Sequence, residues 1–298
     1  MDLIKELLHT TSCSLVGMEK NTGKTVTLNY LLQHLPREHR VAVTSIGLDG
    51  ETKDQVTGTK KPEILLYSGT IFATSEKHYR QRLLRSEVMD VSDESTALGR
   101  LVTARVLQEG KIMLSGLGHT AGLKRWMDWV KDYVDLIIVD GALSRKSLAS
   151  PSITETAILA TGAACSTNMD TLVRKTKHVV ELMQLPLWQA QPDSTGNADE
   201  EIIELVGSVT DHTLEQTLNN SAAKGKTVII QDFTKVFADE ALWHRFTTRH
   251  PVYVRQRSRL LGITVNPTAP NGMILDSDLL CRRLNEETGI PAYDLMKL

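Results

Sequence analysis

The amino-acid sequence predicts an α/β fold of three layers: a mostly parallel sheet between two layers of helices, with a β-hairpin inserted at one edge. Three observations carry this prediction. A short apolar run, Leu15-Val16, ends in Gly17, and five residues further on Gly23-Lys24-Thr25 opens a segment of helical period. A second apolar run, Leu136 to Val139, ends in Asp140-Gly141. Around these, apolar runs of strand length alternate with segments whose apolar residues recur every three or four positions.

The stretch "SLVGMEKNTGKTVTLNYLL", Ser14 to Leu32, is strand, glycine turn, Gly-Lys-Thr and helix in that order, which is the phosphate-binding loop of a P-loop NTPase. A polyphosphate needs backbone N–H groups that approach it closely, so glycines bracket the loop. The helix opening near Gly23 aims the positive end of its dipole at the anion. Lys24 supplies a mobile cation to the outer phosphates, and the Thr25 hydroxyl suits Mg²⁺, which prefers oxygen ligands. Gly17, Lys20, Asn21, Thr22 and Gly23 complete the set expected to hold ATP.

The spacing of five residues between Gly17 and Gly23, in place of the usual four, gives the loop a resemblance. "GMEKNTGKT" resembles the first loop of dethiobiotin synthetase and its relatives, a branch that includes nitrogenase iron protein and cell-division positioning ATPases. Members with a deviant loop carry an extra lysine five residues before the loop lysine. Lys20 lies four before Lys24, so the trans-acting role of that lysine is not carried over.

Composition narrows the function classes. A net charge of −2 over 298 residues leaves no electrostatic footprint for nucleic acid or an anionic membrane. Cys13, Cys165 and Cys281 are far apart and read as reduced thiols, with neither a disulfide framework nor a zinc motif. No apolar run has the length of a membrane span, and "MDLIKELLHTT" is an amphipathic turn or two without the basic start of a signal peptide. The expected location is cytoplasmic.

In chain order, Val26, Leu28, Leu31, Leu32 and Leu35 recur at helical spacing until Pro36 and are expected to pack their helix on the sheet. A strand from Val41 to Ile46 leads to a loop with Asp49, Glu51 and Asp54. Ligands collect at the carboxyl ends of strands. The synthetase relatives place an acid after their second strand, which makes Asp49 a candidate Mg²⁺ ligand; its alternative is a turn aspartate beside Gly50. Lys60 and Lys61 lie in "VTGTKKP", either clamping a phosphate or solvated. "EILLYSGTIFATS" reads as strand through Ala73, and "SEKHYRQRLLR" as a polar helix. Alternation from Leu101 to Val106, then Gln108-Glu109-Gly110, then Lys111 to Ser115 predicts the inserted hairpin, around residues 96–116.

Leu123, Trp126, Met127, Trp129, Val130 and Tyr133 predict a helix with an aromatic face toward the core. The strand Leu136 to Val139 delivers Asp140 where a Walker B carboxylate meets Mg²⁺ or its water shell. Ser144, Arg145 and Lys146 follow in a loop and receive no catalytic role. A strand over Ala157 to Ala160 precedes a helix capped by Asn168 or Asp170, and residues 189–211 read as a surface loop or lobe junction. "KTVIIQDF" and "HPVYVRQRSRLLGITVNPTAP" supply further strands, with a helix from Glu240 to Thr248 between them. In the synthetase relatives an asparagine after a late strand often holds the base; Asn266 either reads adenine or turns the chain with Pro267. A last helix, capped by Asp276 or Ser277, stops at Gly289.

The run of "GMEKNTGKTVTLNYLL", "TSIGLDGE", "VTGTKKP", "DLIIVDGALSRKS" and "VNPTAP" resembles a family found beside adenosylcobalamin-dependent lysine 5,6-aminomutase and ornithine aminomutase. That family is understood as the ATP-binding subunit of a reactivating factor. The resemblance implies a nucleotide-driven switch in one P-loop domain, with Lys24, Asp49 and Asp140 as its catalytic set and Thr25, Asp49 and Asp140 around Mg²⁺. The partners it implies are a second reactivase subunit and the damaged aminomutase, with a homodimer also open. The competing reading is an ATP-dependent ligase like dethiobiotin synthetase, with Lys20, Lys60 or Lys61 holding a carboxylate.

Overall fold

The computed structural model describes residues 3–46, 63–142, 153–189 and 202–297. Strand β1 (Ser12–Gly17) is buried at every residue, and both of its neighbours are parallel: β7 (Leu136–Ala142) on one side, β8 (Thr156–Gly162) on the other. Strands covered on both faces need continuous apolar or small residues, which Leu136-Ile137-Ile138-Val139 and Ala157-Ile158-Leu159-Ala160 supply. Beyond β8 lie β12 (Arg259–Asn266) and β13 (Ala292–Tyr293), and beyond β7 lie β2 (Val41–Ser45) and β4 (Ile71–Ser75), all parallel. At the β4 edge the sheet turns antiparallel through β6 (Gly99–Ile112), which pairs β4, β3 (Ile64–Leu66) and β5 (Leu83–Thr96). The result is a mixed α/β fold on a largely parallel sheet.

The antiparallel edge corrects the expected hairpin. The chain does not turn at Gln108–Gly110 but runs through it as β6, and the turn lies at Ala97-Leu98. There Gly99 takes a left-handed φ of 94°, and Thr96 Oγ1 accepts from Leu98 N–H (3.1 Å) and donates to Gly99 O (2.7 Å). Gly110 is a glycine because β5 crowds it: a Cβ there would stand 2.0 Å from Leu83 O. The polar helix expected over residues 75–85 is short, α3 (Glu76–Arg80), since β5 already begins at Leu83.

Alternation along the strands sorts side chains to two faces. Val41, Val43, Leu136, Ile138 and Ile158 share one buried cluster with Leu3 and Leu7 of α1 (Leu3–Leu8) and Leu28 and Leu31 of α2 (Lys24–His34). Ala42, Ile137 and Val139 point the other way, to Leu123, Trp126, Met127 and Val130 of α4 (Thr120–Val130). Ala157 and Leu159 meet α5 (Met169–Met183) and α8 (Ser277–Thr288). The aromatic face of α4 is only partly core. Trp126 is buried and donates Nε1–H to Thr103 Oγ1 (3.0 Å), whereas Trp129 and Tyr133 pair with each other at the surface. Of the two possible caps on α5, Asn168 takes the position, its Oδ1 accepting from Thr171 N–H at 2.9 Å. Asp276 caps α8, and Gly289 ends it at φ 69°.

The late strands divide between two sheets. β9 (Ile202–Leu205), β10 (Thr227–Ile230) and β11 (Val252–Val254) form a separate parallel sheet in the order β11-β10-β9, with α6 (Asp211–Asn219) and α7 (Glu240–Thr247) between them in the chain. Only β12, from the second of the two late segments, returns to the main sheet. Within the stretch expected as a junction, residues 190–201 lie outside those described. All three cysteines are free; burial pushes the Cys13 thiol up to about 12 and the Cys281 thiol up to about 11, so neither is a nucleophile at neutral pH.

Candidate functional site

β1 ends at Gly17 on the carboxyl edge of the sheet, and the chain returns as α2 after a short loop. Met18 N–H donates to Ala160 O on β8 (3.0 Å), so the loop leaves in register with its neighbour. Asn21 (φ 63°) and Gly23 (φ 90°) then take left-handed conformations. Backbone of this kind turns successive N–H groups toward one side, making a concavity suited to an anion. Buried Thr22 braces the loop from within by donating Oγ1–H to Glu19 O (2.9 Å). Gly23, the residue capping α2, has no side chain to occupy the first N–H groups, so the helix N-terminus stays open.

Lys24 opens α2, and its stem lies across Gly17. A Cβ at Gly17 would stand 2.7 Å and 2.8 Å from Lys24 Cδ and Cγ, and 2.9 Å from Thr22 Oγ1. At the end of that stem, Nζ meets Asp140 Oδ1 at 3.0 Å, with the two side chains 23% and 17% exposed. A partly solvated pair of this kind adds little stability. Its significance is placement: a cation and a carboxylate meet at the mouth of the loop. The sheet sets Asp140 there, opposite Leu15 on β1 and Ser45 on β2, and Ile46 N–H donates to Asp140 O (2.9 Å). Asp49 lies outside the described residues, as do Lys60, Lys61, Ser144, Arg145 and Lys146.

Asn266, the last residue of β12, closes the opposite side. Its Nδ2 donates to Asn21 O (2.8 Å) and its Oδ1 accepts from Thr268 N–H (3.2 Å), so the side chain both makes the turn and braces the loop. Gly162 allows this approach, since a Cβ there would lie 2.2 Å from Asn266 O. Between the first turn of α2 and the end of β12 is a narrow cleft of about 30 Å³, walled by Thr22, Gly23, Val26, Asn266, Pro267 and Met296. Val26, expected to face the core, is 39% exposed on this wall. Beneath it Thr27 and Thr264 join hydroxyls at 2.9 Å and fix α2 to β12.

The structure therefore brings Gly17, Lys24 and Asp140 into one group, and Asn21, Thr22, Gly23 and Asn266 into an adjoining one. Thr25 is half-buried in the first turn of α2, and Lys20 is exposed on the loop. The helix after β1 packs on one face of the sheet and the helix after β8 on the other. Adjacent strands whose connections leave to opposite faces open a crevice at their carboxyl ends, and the loop sits in it.

Sequence reasoning missed the segment after β6, which borders the same edge. Gly116 crosses the end of β2 so closely that a Cβ would meet Ser45 O at 1.8 Å. Buried Ser115 fixes the crossing, its Oγ donating to Ser75 Oγ (2.7 Å) and lying 2.8 Å from His78 Nδ1. Next to it Glu94 meets Arg125 and His119, and the hydrogen bond from Arg125 holds the Glu94 carboxyl below the usual range. The signal was the glycine pair in "LSGLGH" after an apolar run.

Compared with models of known families, with curated proteins and with solved structures, the chain matches none.

Proposed function

We propose that this chain is a Mg-ATP-binding P-loop ATPase of three-layer α/β architecture, working as the switch subunit that reactivates a cobalamin-dependent aminomutase. The observation that carries the nucleotide part is the Lys24–Asp140 pair, 3.0 Å apart across Gly17 at the open end of α2. The donors also fit the group: an anion-shaped loop with two left-handed residues, one lysine within reach, and a hydroxyl and a carboxylate, Thr25 and Asp140, suited to a hard cation.

In this reading Lys24 would turn from Asp140 to the outer phosphate oxygens, and Asp140 together with Thr25 would hold Mg²⁺. Mg²⁺ there would neutralise charge on the β- and γ-phosphates. The base would lie on the surface beside Asn266, against Val26, Pro267 and Met296, since the narrow cleft there is too small to enclose it. Ser45 and Ile46 contact Asp140 through the backbone, so exchange at Asp140 reaches the end of β2. A switch needs contacts that differ between its two nucleotide states, and the ion pair is such a contact. The assignment of a second reactivase subunit and an aminomutase as partners rests on the sequence resemblance.

The test is Mg²⁺-dependent phosphate release by the purified chain, alone and with a candidate aminomutase. We expect slow basal turnover that the aminomutase accelerates, and a loss of about a hundredfold or more in Lys24→Ala and in Asp140→Ala with unchanged circular dichroism. Wild-type turnover in either variant would sink the site. Turnover that requires a small carboxylic acid and ignores protein would replace the switch with a dethiobiotin synthetase-like ligase.

A further inference from the structure

A second group of side chains lies away from the loop. His178 and Glu181, three residues apart, stand on one face of α5. His244 reaches toward them from α7, which belongs to the segment carrying the separate sheet. One potential ligand atom from each residue falls within 4.8 Å of the other two. The His178 and His244 rings lie 5.8 Å apart, tilted by 56°, and His244 Nε2 is 3.9 Å from Glu181 Oε2.

We propose that His178, Glu181 and His244 form a binding site for a divalent transition metal of the zinc class, joining α5 to α7. Two imidazoles and one carboxylate select borderline metals such as Zn²⁺ over Mg²⁺ and Ca²⁺, whose sites are built from oxygen. Bonds of about 2.0–2.2 Å at a tetrahedral centre place ligand atoms roughly 3.3–3.5 Å apart, so a metal would draw together three atoms that now lie within 4.8 Å of one another, with His244 Nε2 and Glu181 Oε2 at 3.9 Å. The helices themselves are already fixed. Trp243 and Phe246 on α7 are buried with Val180 and Met183 of α5 in one apolar cluster, and Arg174 on α5 pairs with Glu240 at the start of α7. His244 and Glu181 are 54% and 42% exposed, which leaves a face for water as a fourth ligand. Bound metal would clamp the segment 202–254 to the main sheet. This site is independent of the nucleotide reading, in ligand chemistry and in the elements that build it.

The experiment uses the full chain, stripped with chelator and free of nucleotide. Zn²⁺ is titrated calorimetrically, and Co²⁺ is followed by its visible ligand-field bands. We expect one metal per chain, bands of a four-coordinate site, and a thermal midpoint that rises with Zn²⁺. His244→Ala and Glu181→Gln, both at exposed positions, should each weaken Zn²⁺ binding by about tenfold or more and abolish the midpoint shift. His212→Ala, exposed on α6 and outside the group, should change neither. Absence of saturable binding overturns the proposal, and so does wild-type affinity in folded His244→Ala.

Discussion

Glycine at 17 and lysine at 24 are one choice made at two positions. A side chain on residue 17 would occupy the path of the Lys24 stem, at 2.7 and 2.8 Å, and Thr22 blocks the remaining space at 2.9 Å. The lysine stem can swing away, but Thr22 is tied to Glu19 O. Gly17→Ala keeps its backbone conformation, since Gly17 has no left-handed φ to lose, yet its Cβ should push Lys24 off Asp140 and strain the buried Thr22. On the nucleotide reading we expect at least about a tenfold loss of affinity for a fluorescent ATP analogue, in a chain that circular dichroism shows to be folded. Unaltered affinity would show that the lysine path is unimportant. The glycine and the lysine are both legible in the sequence; the contact that couples them is not, because it depends on how the loop folds back.

At the scale of elements, β2 and β7 are stapled where they begin. Arg40 donates to the Asp135 carboxylate from its backbone N–H (2.9 Å), Nε (3.1 Å) and Nη2 (2.6 Å), while Asp135 N–H donates to Arg40 O (2.8 Å). The side-chain hydrogen bonds from Arg40, then its backbone N–H, hold the Asp135 carboxyl down to about 2, against an ordinary value of 3.8. A depressed carboxyl contributes stability that is complete above the ordinary value and disappears as pH falls through the lowered one. Asp135→Asn should thus lower the urea midpoint at pH 7, and the difference from wild type should close between pH 3.8 and about 2. A difference that persists below that window would place the effect in packing instead. The β5–β6 hairpin shows where element boundaries escape a linear reading. "QEG" carries turn chemistry, but Gly110 is spent on the approach of Leu83 O, and a strand pairing from a distant segment decides that. The true turn had its own mark, Gly99 after Thr96.

At the scale of the molecule, one apolar cluster joins the two sheets. Leu159 and Ile263 of the main sheet, Val228 and Val254 of the small one, Val180 of α5, Leu284 of α8 and Phe246 of α7 are buried together. Phe246 is fully buried within that cluster, its ring beside Trp243 and His250. Phe246→Ala should cost about 3–5 kcal/mol and leave a single unfolding transition, read by calorimetry. Two separated transitions would mean that the segment 202–254 folds as its own unit. Among the described residues no helix is long and apolar enough to cross a membrane. What the sequence determined by itself is whatever depends on neighbours in the chain: the loop between β1 and α2, the buried strand that carries Asp140, the places where α5 and α8 begin, and the parallel core strands. The tertiary structure alone decided the rest. It brought Asp140 to Lys24 across 116 positions, Asn266 to Asn21 across 245, and His244 to α5, and it moved three strands into a second sheet. The physical reason is that periodicity, turns and caps are written by interactions within a few residues. Contacts between distant segments follow from which apolar faces bury together, and a linear pattern does not encode that pairing.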